Sequence, residues 1–264
     1  MDKQKLLKMD GNPNNIPSIY NYCDRWCERC QFISRCLNFQ MGEEMQEEKK
    51  INDMNNEEFW KHMTKIFAFT HEMINDMAKE QGIDLSQIEW TEEDKQREKD
   101  REKSAHNHQC AVASEEYYRV VDKWFKEREY LFKEKEDELN EQLCLDLPLT
   151  DPEKEAVTLK DAVEVITFYL MFINVKIMRA LNGKFEDRYE IPDDFLKDSD
   201  GSAKIALIAI DHSISAWGKL LKHLPQSEDE ILEILVLLER LRNITEKEFP
   251  DARKFIRPGF DEWD

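Results

Sequence analysis

Residues 158–183 read TLKDAVEVITFYLMFINVKIMRALNG. At helical spacing the apolar side chains between Thr158 and Leu181 cover most of the circumference, which predicts a helix enclosed by others, the central and most buried element of the fold. Asn182-Gly183 supplies its stop, because glycine takes the left-handed C-cap conformation without a Cβ penalty. The segment is no membrane span. Glu164, Lys176 and Arg179 interrupt it, leaving only the eleven residues Val165 to Val175 uncharged where a bilayer needs about 20.

Working outward, Lys184 to Gly201 is acidic, contains Pro192 and reads as a surface connection. Ser202 to His223 then places Lys204, Asp211, Ser215 and Lys222 on one face, expected to meet water, and Ile205, Ile210, Ile214, Trp217 and Leu221 on the others; Pro225 closes it. Ser227 offers an N-cap, Glu230 its capping-box partner, and Ile231 to Ile244 an apolar stripe. Upstream, Tyr117, Val120, Val121, Trp124, Phe125, Leu131 and Phe132 recur at helical intervals toward Leu143 before Pro148, as one long helix would require. Thr91 to Ser104 has no apolar residue and is a solvated helix or a linker, not core. Between Asn55 and Gln81, Phe59, Ile66, Phe69, Met73 and Met77 share a narrow sector, predicting an amphipathic core helix with Gly82 beyond its end. His62 lies in that sector and reads as a hydrogen-bonded core histidine. No repeat of solenoid length is visible. The expected fold is therefore all-α: an N-terminal cysteine-rich metal-binding segment over residues 1–50, then a bundle of about five helices over 51–264 with a charged linker near 91–104 and a tail over 249–264.

Charge narrows the function classes. With 57 acidic against 38 basic residues the net charge is −19, a field that repels nucleic acid and anionic membrane, so the expected partners are proteins or further copies of the chain. Only 7 glycines and 8 prolines leave little for turn-rich β folds or glycine-rich phosphate loops, and no G-x-S-x-G, Walker A or G-x-G-x-x-G motif occurs. The stretch MDKQKLLKMDGNPNN, residues 1–15, lacks a secretory apolar region, and cytoplasmic residence is expected. In a reducing compartment six cysteines read as thiols or metal ligands.

Four of those six fall within Tyr20 to Phe39, YNYCDRWCERCQFISRCLNF, as Cys23, Cys27, Cys30 and Cys36 in a C-x3-C-x2-C-x5-C pattern. Thiolates held this close need a cation to offset their repulsion, and four complete either a tetrahedral zinc site or the ligand set of a 4Fe-4S cluster. Structural zinc usually joins two C-x2-C knuckles across a longer loop, whereas here only one C-x2-C exists; a cluster with four separate irons tolerates uneven spacing, so 4Fe-4S is favoured and zinc is the alternative. Cys27-x2-Cys30-Gln31-Phe32-x3-Cys36 resembles the C-x2-C-x-F-x3-C clamp that holds a 4Fe-4S cluster in RecB-like nucleases, including the CRISPR-associated exonucleases. The likeness covers ten residues and implies the cluster type alone: no nuclease core accompanies it, and Cys23 stands three intervening residues upstream rather than across such a core. Cys23-x3-Cys27-x2-Cys30 also matches the spacing of radical S-adenosylmethionine enzymes, but Cys36 is available for the fourth iron and no alternation of strand and helix follows. Arg25, Arg29 and Arg35 could offset the negative charge.

The remaining candidates are weaker. His106-x-His108-x-Cys110 has metal-like residue types but reads as an exposed polar stretch, and the isolated Cys110 and Cys144 as small hydrophobes. None of the six histidines follows a glutamate by three residues, which removes the carboxylate-bridged di-iron bundle. Glu164 shares a sector with Met171 and Val175, and its place near a helix start favours a solvated acid over a proton carrier. Asp211-His212 sits on the polar face and does not read as a catalytic dyad. In the tail, Phe255, Ile256, Phe260 and Trp263 require cover, either from the chain's own bundle or from a partner that Arg253, Lys254 and Arg257 would help to dock. The functional expectation is an iron-sulfur protein for electron transfer or redox sensing through a partner, with a zinc-stapled adaptor as the alternative; no catalytic residue is identified.

Overall fold

The computed structural model describes residues 8–9, 11–47, 57–85, 89, 91–145, 150–186 and 197–261. Pro148, Pro192, Trp263 and the side chains of Phe59 and His62 lie outside the described residues. Among those described the chain is all-α, with no strand. It divides into two compact units, Met1–Asn21 with Arg25–Lys99, and Tyr22–Asp24 with Asp100–Asp264.

In the first unit three 3-10 turns, Ile19–Asn21, Cys27–Arg29 and Ile33–Arg35, lead into α1 (Leu37–Glu47), followed by α2 (Glu57–Glu80). Gly82, at φ +70°, ends α2 as expected. α2 has the predicted amphipathic pattern but is no buried core helix: in the predicted sector Ile66, Phe69 and Met73 are only half-buried and Met77 is exposed, and Trp60, Phe67 and Ile74 beside it are exposed too. Periodicity fixes which face is apolar and says nothing of whether a partner covers it.

The charged stretch is a helix, α3 (Glu92–His106), within which the boundary between the units falls. It is nucleated by a capping box: Asp94 N–H donates to Thr91 Oγ1 at 3.1 Å and Thr91 N–H to Asp94 Oδ2 at 3.1 Å. The hydrogen bonds from Thr91 lower the Asp94 carboxyl from its ordinary value.

The second unit packs α4 (Gln109–Glu127), α5 (Glu129–Leu145), α6 (Pro152–Glu186), α7 (Asp198–His223) and α8 (Glu228–Glu248). Eight described α-helices thus stand where about five were expected: α1 and α3 are additional, and the long helix through Tyr117 and Leu131 is broken at Arg128. The break sits where Arg128 Nε and Trp124 Nε1 both donate to Glu230 Oε2 at 2.9 Å, and Arg128 Nη2 grips the other carboxylate oxygen. Glu230 is therefore drawn to the α4–α5 corner, and Ser227 makes no side-chain cap bond to the start of α8.

The most buried helix is α7 rather than α6. Gly201, Ser202, Ala203, Ala206, Ala209, Ser213 and Ala216 let neighbours approach its backbone closely, while Ile205, Leu207, Ile210, Trp217 and Leu220 fill the spaces between. α6 contributes Ile166, Ile173, Ile177 and Leu181 to the same core but leaves Val157, Met171 and Val175 exposed, and Glu164 with them. Trp217 Nε1 donates to the Tyr117 hydroxyl at 3.2 Å, and the Trp217 ring meets Trp124 edge-on at 5.0 Å, a contact worth about 1 kcal/mol beyond area burial.

The polar face of α7 is divided: Ser215 and Lys222 are exposed as expected, whereas Lys204 and Asp211 seat the returning chain. After α8 the chain returns through the 3-10 turn Ala252–Lys254 and places Phe249, Ala252 and Phe255 in the core. Asp211 accepts from Arg253 Nη1 at 2.7 Å and Arg242 Nη1 at 3.4 Å, and Lys204 Nζ reaches Asp261 at 2.7 Å and the Phe255 carbonyl. Arg257 pairs with Asp261 and Arg253 with Asp211 within the chain, while Lys254, beside Asp251, is 79 % exposed.

Candidate metal centre

The four sequence-selected thiols are all half-buried, and each sits at a defined point of the backbone. Cys27 opens a 3-10 turn closed by the Cys30 N–H on the Cys27 carbonyl at 3.1 Å, and the next N–H but one, from Phe32, donates to Cys30 Sγ at 3.4 Å. A second 3-10 turn delivers Cys36, whose N–H meets the Ile33 carbonyl at 3.3 Å and whose own carbonyl accepts from Gln40 at the start of α1. A strap closes this half of the segment: Ile16 N–H donates to the Arg35 carbonyl at 2.9 Å, Arg35 Nε to the Asn14 carbonyl at 3.0 Å, and Gln40 Nε2 to Asn15 Oδ1 at 2.9 Å.

Cys23 belongs to the other unit, and its neighbours explain why. Tyr22 donates its hydroxyl to Asp198 at 3.0 Å and packs edge-on against Phe255 at 4.6 Å, while Asp24 accepts from the Tyr169 hydroxyl at 2.7 Å. Burial and the Asp198 carboxylate push the Tyr22 phenol up to about 12, so it remains a donor. The rings of Tyr22 and Phe255 press onto α7 at Gly201, where a Cβ would lie 2.4 Å from Tyr22 Cε1 and 2.7 Å from Phe255 Cζ. Sequence reading missed these anchors because their partners lie far along the chain; the aromatic and acidic residues flanking Cys23 were the one local signal. Between Cys23 and Cys27, Arg25 adopts φ +62°, a left-handed backbone that costs a non-glycine residue about 1–2 kcal/mol.

The donor chemistry, four thiols with one sulfur already accepting a backbone N–H, fits a soft metal or an iron-sulfur cluster. Among the described residues no group of three or more Cys, His, Asp or Glu side chains is drawn together as a metal site, and no disulfide joins the cysteines. The arginines take other partners, Arg29 lying 4.0 Å over the Trp26 ring and Arg35 on the Asn14 carbonyl.

His106, His108 and Cys110 do not form a second centre. His106 Nδ1 lies 2.8 Å from the Glu102 carbonyl, whereas His108 caps α4 by accepting the Cys110 N–H on Nδ1 at 3.3 Å. That leaves the proton on His108 Nε2, 3.3 Å from Glu248, whose other oxygen binds Lys184 Nζ at 2.7 Å. Cys110 is fully buried, and burial pushes its thiol up to about 11, so it stays protonated as packing. Two surface grooves are also present in the second unit. One of about 600 Å³ lies beside Asn174, Met178 and Asn182; the other, of about 410 Å³, is lined by Lys135, Glu155 and His223. In the latter, Lys135 Nζ and His223 Nδ1 both contact Glu155 Oε1, at 2.7 and 2.9 Å, and hold its carboxyl below the ordinary value against the opposing effect of burial.

No protein-family model, curated protein or solved structure matches the chain. Among the described residues no helix is long and apolar enough to cross a membrane.

Proposed function

We propose that this chain is a cytoplasmic iron-sulfur protein in which Cys23, Cys27, Cys30 and Cys36 ligate a 4Fe-4S cluster for electron transfer or redox sensing with a protein partner. The observation that carries the reading is the Cys27–Cys30 turn with the Phe32 N–H on Cys30 Sγ. A backbone N–H aimed at sulfur stabilises the thiolate over the thiol and tunes a cluster's potential. Such a cluster supplies single-electron chemistry, and complete cysteine ligation leaves no iron open to substrate. The protein's own contributions are the anchored Tyr22 and Asp24, which hold the chain on both sides of Cys23, and the strap from Asn14 to Gln40, which fixes the loop bearing Cys30 and Cys36.

The same turn is what a zinc knuckle presents, so zinc in a structural adaptor is the competing reading. Anaerobic purification with iron, sulfide and zinc analysis decides between them. Stoichiometric iron and acid-labile sulfide, with visible absorbance bleached by dithionite, are expected; stoichiometric zinc without sulfide overturns the proposal. Cys27→Ser with Cys30→Ser should abolish the reversible one-electron signal while the far-UV helical spectrum is retained.

A further inference from the structure

The exposed face of α2 has the pattern of a helix-pairing seam. Trp60, Phe67 and Ile74 recur every seventh residue, and Met63, Thr70 and Met77 fall three residues after each, the spacing that keeps one stripe facing a partner helix. Trp60, Phe67, Ile74 and Met77 are 59, 66, 50 and 56 % exposed. The exposed parts of these four side chains amount to roughly 500 Å² per chain, in the upper part of the range for the largest apolar patch on a monomer, the patch that is often functional. The polar member of the seam is prepared for burial: the Thr70 hydroxyl donates to the Ile66 carbonyl at 2.9 Å, so enclosing it strands no donor. Lys61, Lys65, Glu72, Asp76 and Lys79 all take positions outside the seam at about 3.6 residues per turn, so closing the stripe buries no charge.

We infer that α2 pairs with α2 of a second copy of this chain, antiparallel, making the protein a homodimer through its first unit. In the antiparallel register that aligns the two seams, Trp60 lies level with Met77 of the other copy, Met63 with Ile74, and Phe67 with Thr70, so large side chains meet smaller ones in every layer. A parallel pair would stack Trp60 on Trp60 and Phe67 on Phe67 and bring the two like-charged helix starts side by side. Two such stripes together remove about 1,000 Å² from solvent, and the flanking Ile66 and Met73 bring the total to the range of specific interfaces. A partner of equal net charge is repelled at long range while the seam itself is uncharged, so the pairing strengthens with added salt.

The test is sedimentation equilibrium of the full chain at several salt concentrations. Wild type should run at twice its 31.6 kDa mass, Phe67→Glu at the monomer mass with its helical spectrum intact, and Val236→Glu, an equally exposed apolar site on α8, at the dimer mass. A monomeric wild type, or a Phe67→Glu variant that stays dimeric, overturns the inference. Orientation is read by mixing Trp60→Cys and Met77→Cys chains: a 60–77 crosslink found by peptide mapping supports the antiparallel pair, and a 60–60 crosslink overturns it. A monomer that instead co-sediments with phosphatidylcholine–phosphatidylglycerol vesicles would assign the face to lipid and also overturn it.

Discussion

Helices α2 and α7 carry similar apolar patterns and meet different fates. α2 has the cleaner division into an apolar and a charged face, yet its large side chains stay exposed. α7 has charges on what looks like a polar face and is the most enclosed helix of its unit. The difference lies in small residues and in complementary charge. Glycine, alanine and serine along α7 admit neighbouring backbones, and Lys204 and Asp211 pair with Asp261 and Arg253 of the returning chain. α2 offers large side chains and no such charged seat.

The sharpest way to break this contrast is Trp217→Ala in α7, which removes the largest fully buried side chain and leaves Tyr117 without its indole donor. A loss of about 3–5 kcal/mol in denaturant unfolding is expected. Next, Gly201→Ala gains helix propensity of about 1 kcal/mol but forces the Tyr22 and Phe255 rings off the helix. The net expectation is a loss of about 1–3 kcal/mol, with new proteolytic cleavage after Phe249 as its local signature.

Asp261→Asn should cost about 2 kcal/mol, since it removes a half-buried carboxylate shared by Lys204 and Arg257. Burial raises the Asp261 carboxyl, but hydrogen bonds from Arg257 and Lys204 outweigh it and hold the group well below the usual carboxylate range. A carboxyl lowered in the folded state stabilises fully above a pH of about 4, and that contribution fades as pH falls toward the depressed value. Tail docking, followed by Trp or Tyr fluorescence, should therefore weaken on acidification in wild type and be insensitive to that range in Asp261→Asn. If the variant titrates like wild type, the seat on α7 is not held by this charge.

How far these features could be read in the sequence depends on how local their causes are. Apolar spacing and the stops after α2 and α7 are local, and both helices were legible to within a few residues. The break at Arg128 was not, because the carboxylate that fixes it is on Glu230, 102 residues away. On the polar face of α7 the exposure of Ser215 and Lys222 was legible, but the seating of Lys204 and Asp211 was not, for the same reason: Asp261 and Arg253 arrive from 57 and 42 residues downstream. Ranking α6 as the central helix followed hydropathy, which rewards large apolar residues and overlooks the small ones that permit close packing. For the candidate site, the four cysteine positions were plain from spacing, while the anchoring of Cys23 through Tyr22 and Asp24 depends on Asp198 and Tyr169.

Two smaller effects sharpen the comparison from the exposed side. Thr91→Ala removes the capping box of α3 and should cost about 1 kcal/mol locally, visible as faster amide exchange in its first turn with α7 unaffected. Phe67→Ala should change the unfolding free energy of the second unit by no more than about 0.5 kcal/mol. A larger effect would mean that α2 contributes to the core after all.

The contact of Tyr22 with Phe255 also sets a timetable. A ribosome adds roughly 5–20 residues per second, so tens of seconds separate the appearance of these two rings. Tyr169 and Asp198, which hold Asp24 and Tyr22, emerge earlier in that interval, but the ring that Tyr22 packs against comes last. If the four cysteines hold a cluster as proposed, the setting of Cys23 is completed only after residue 255 has emerged, late in translation.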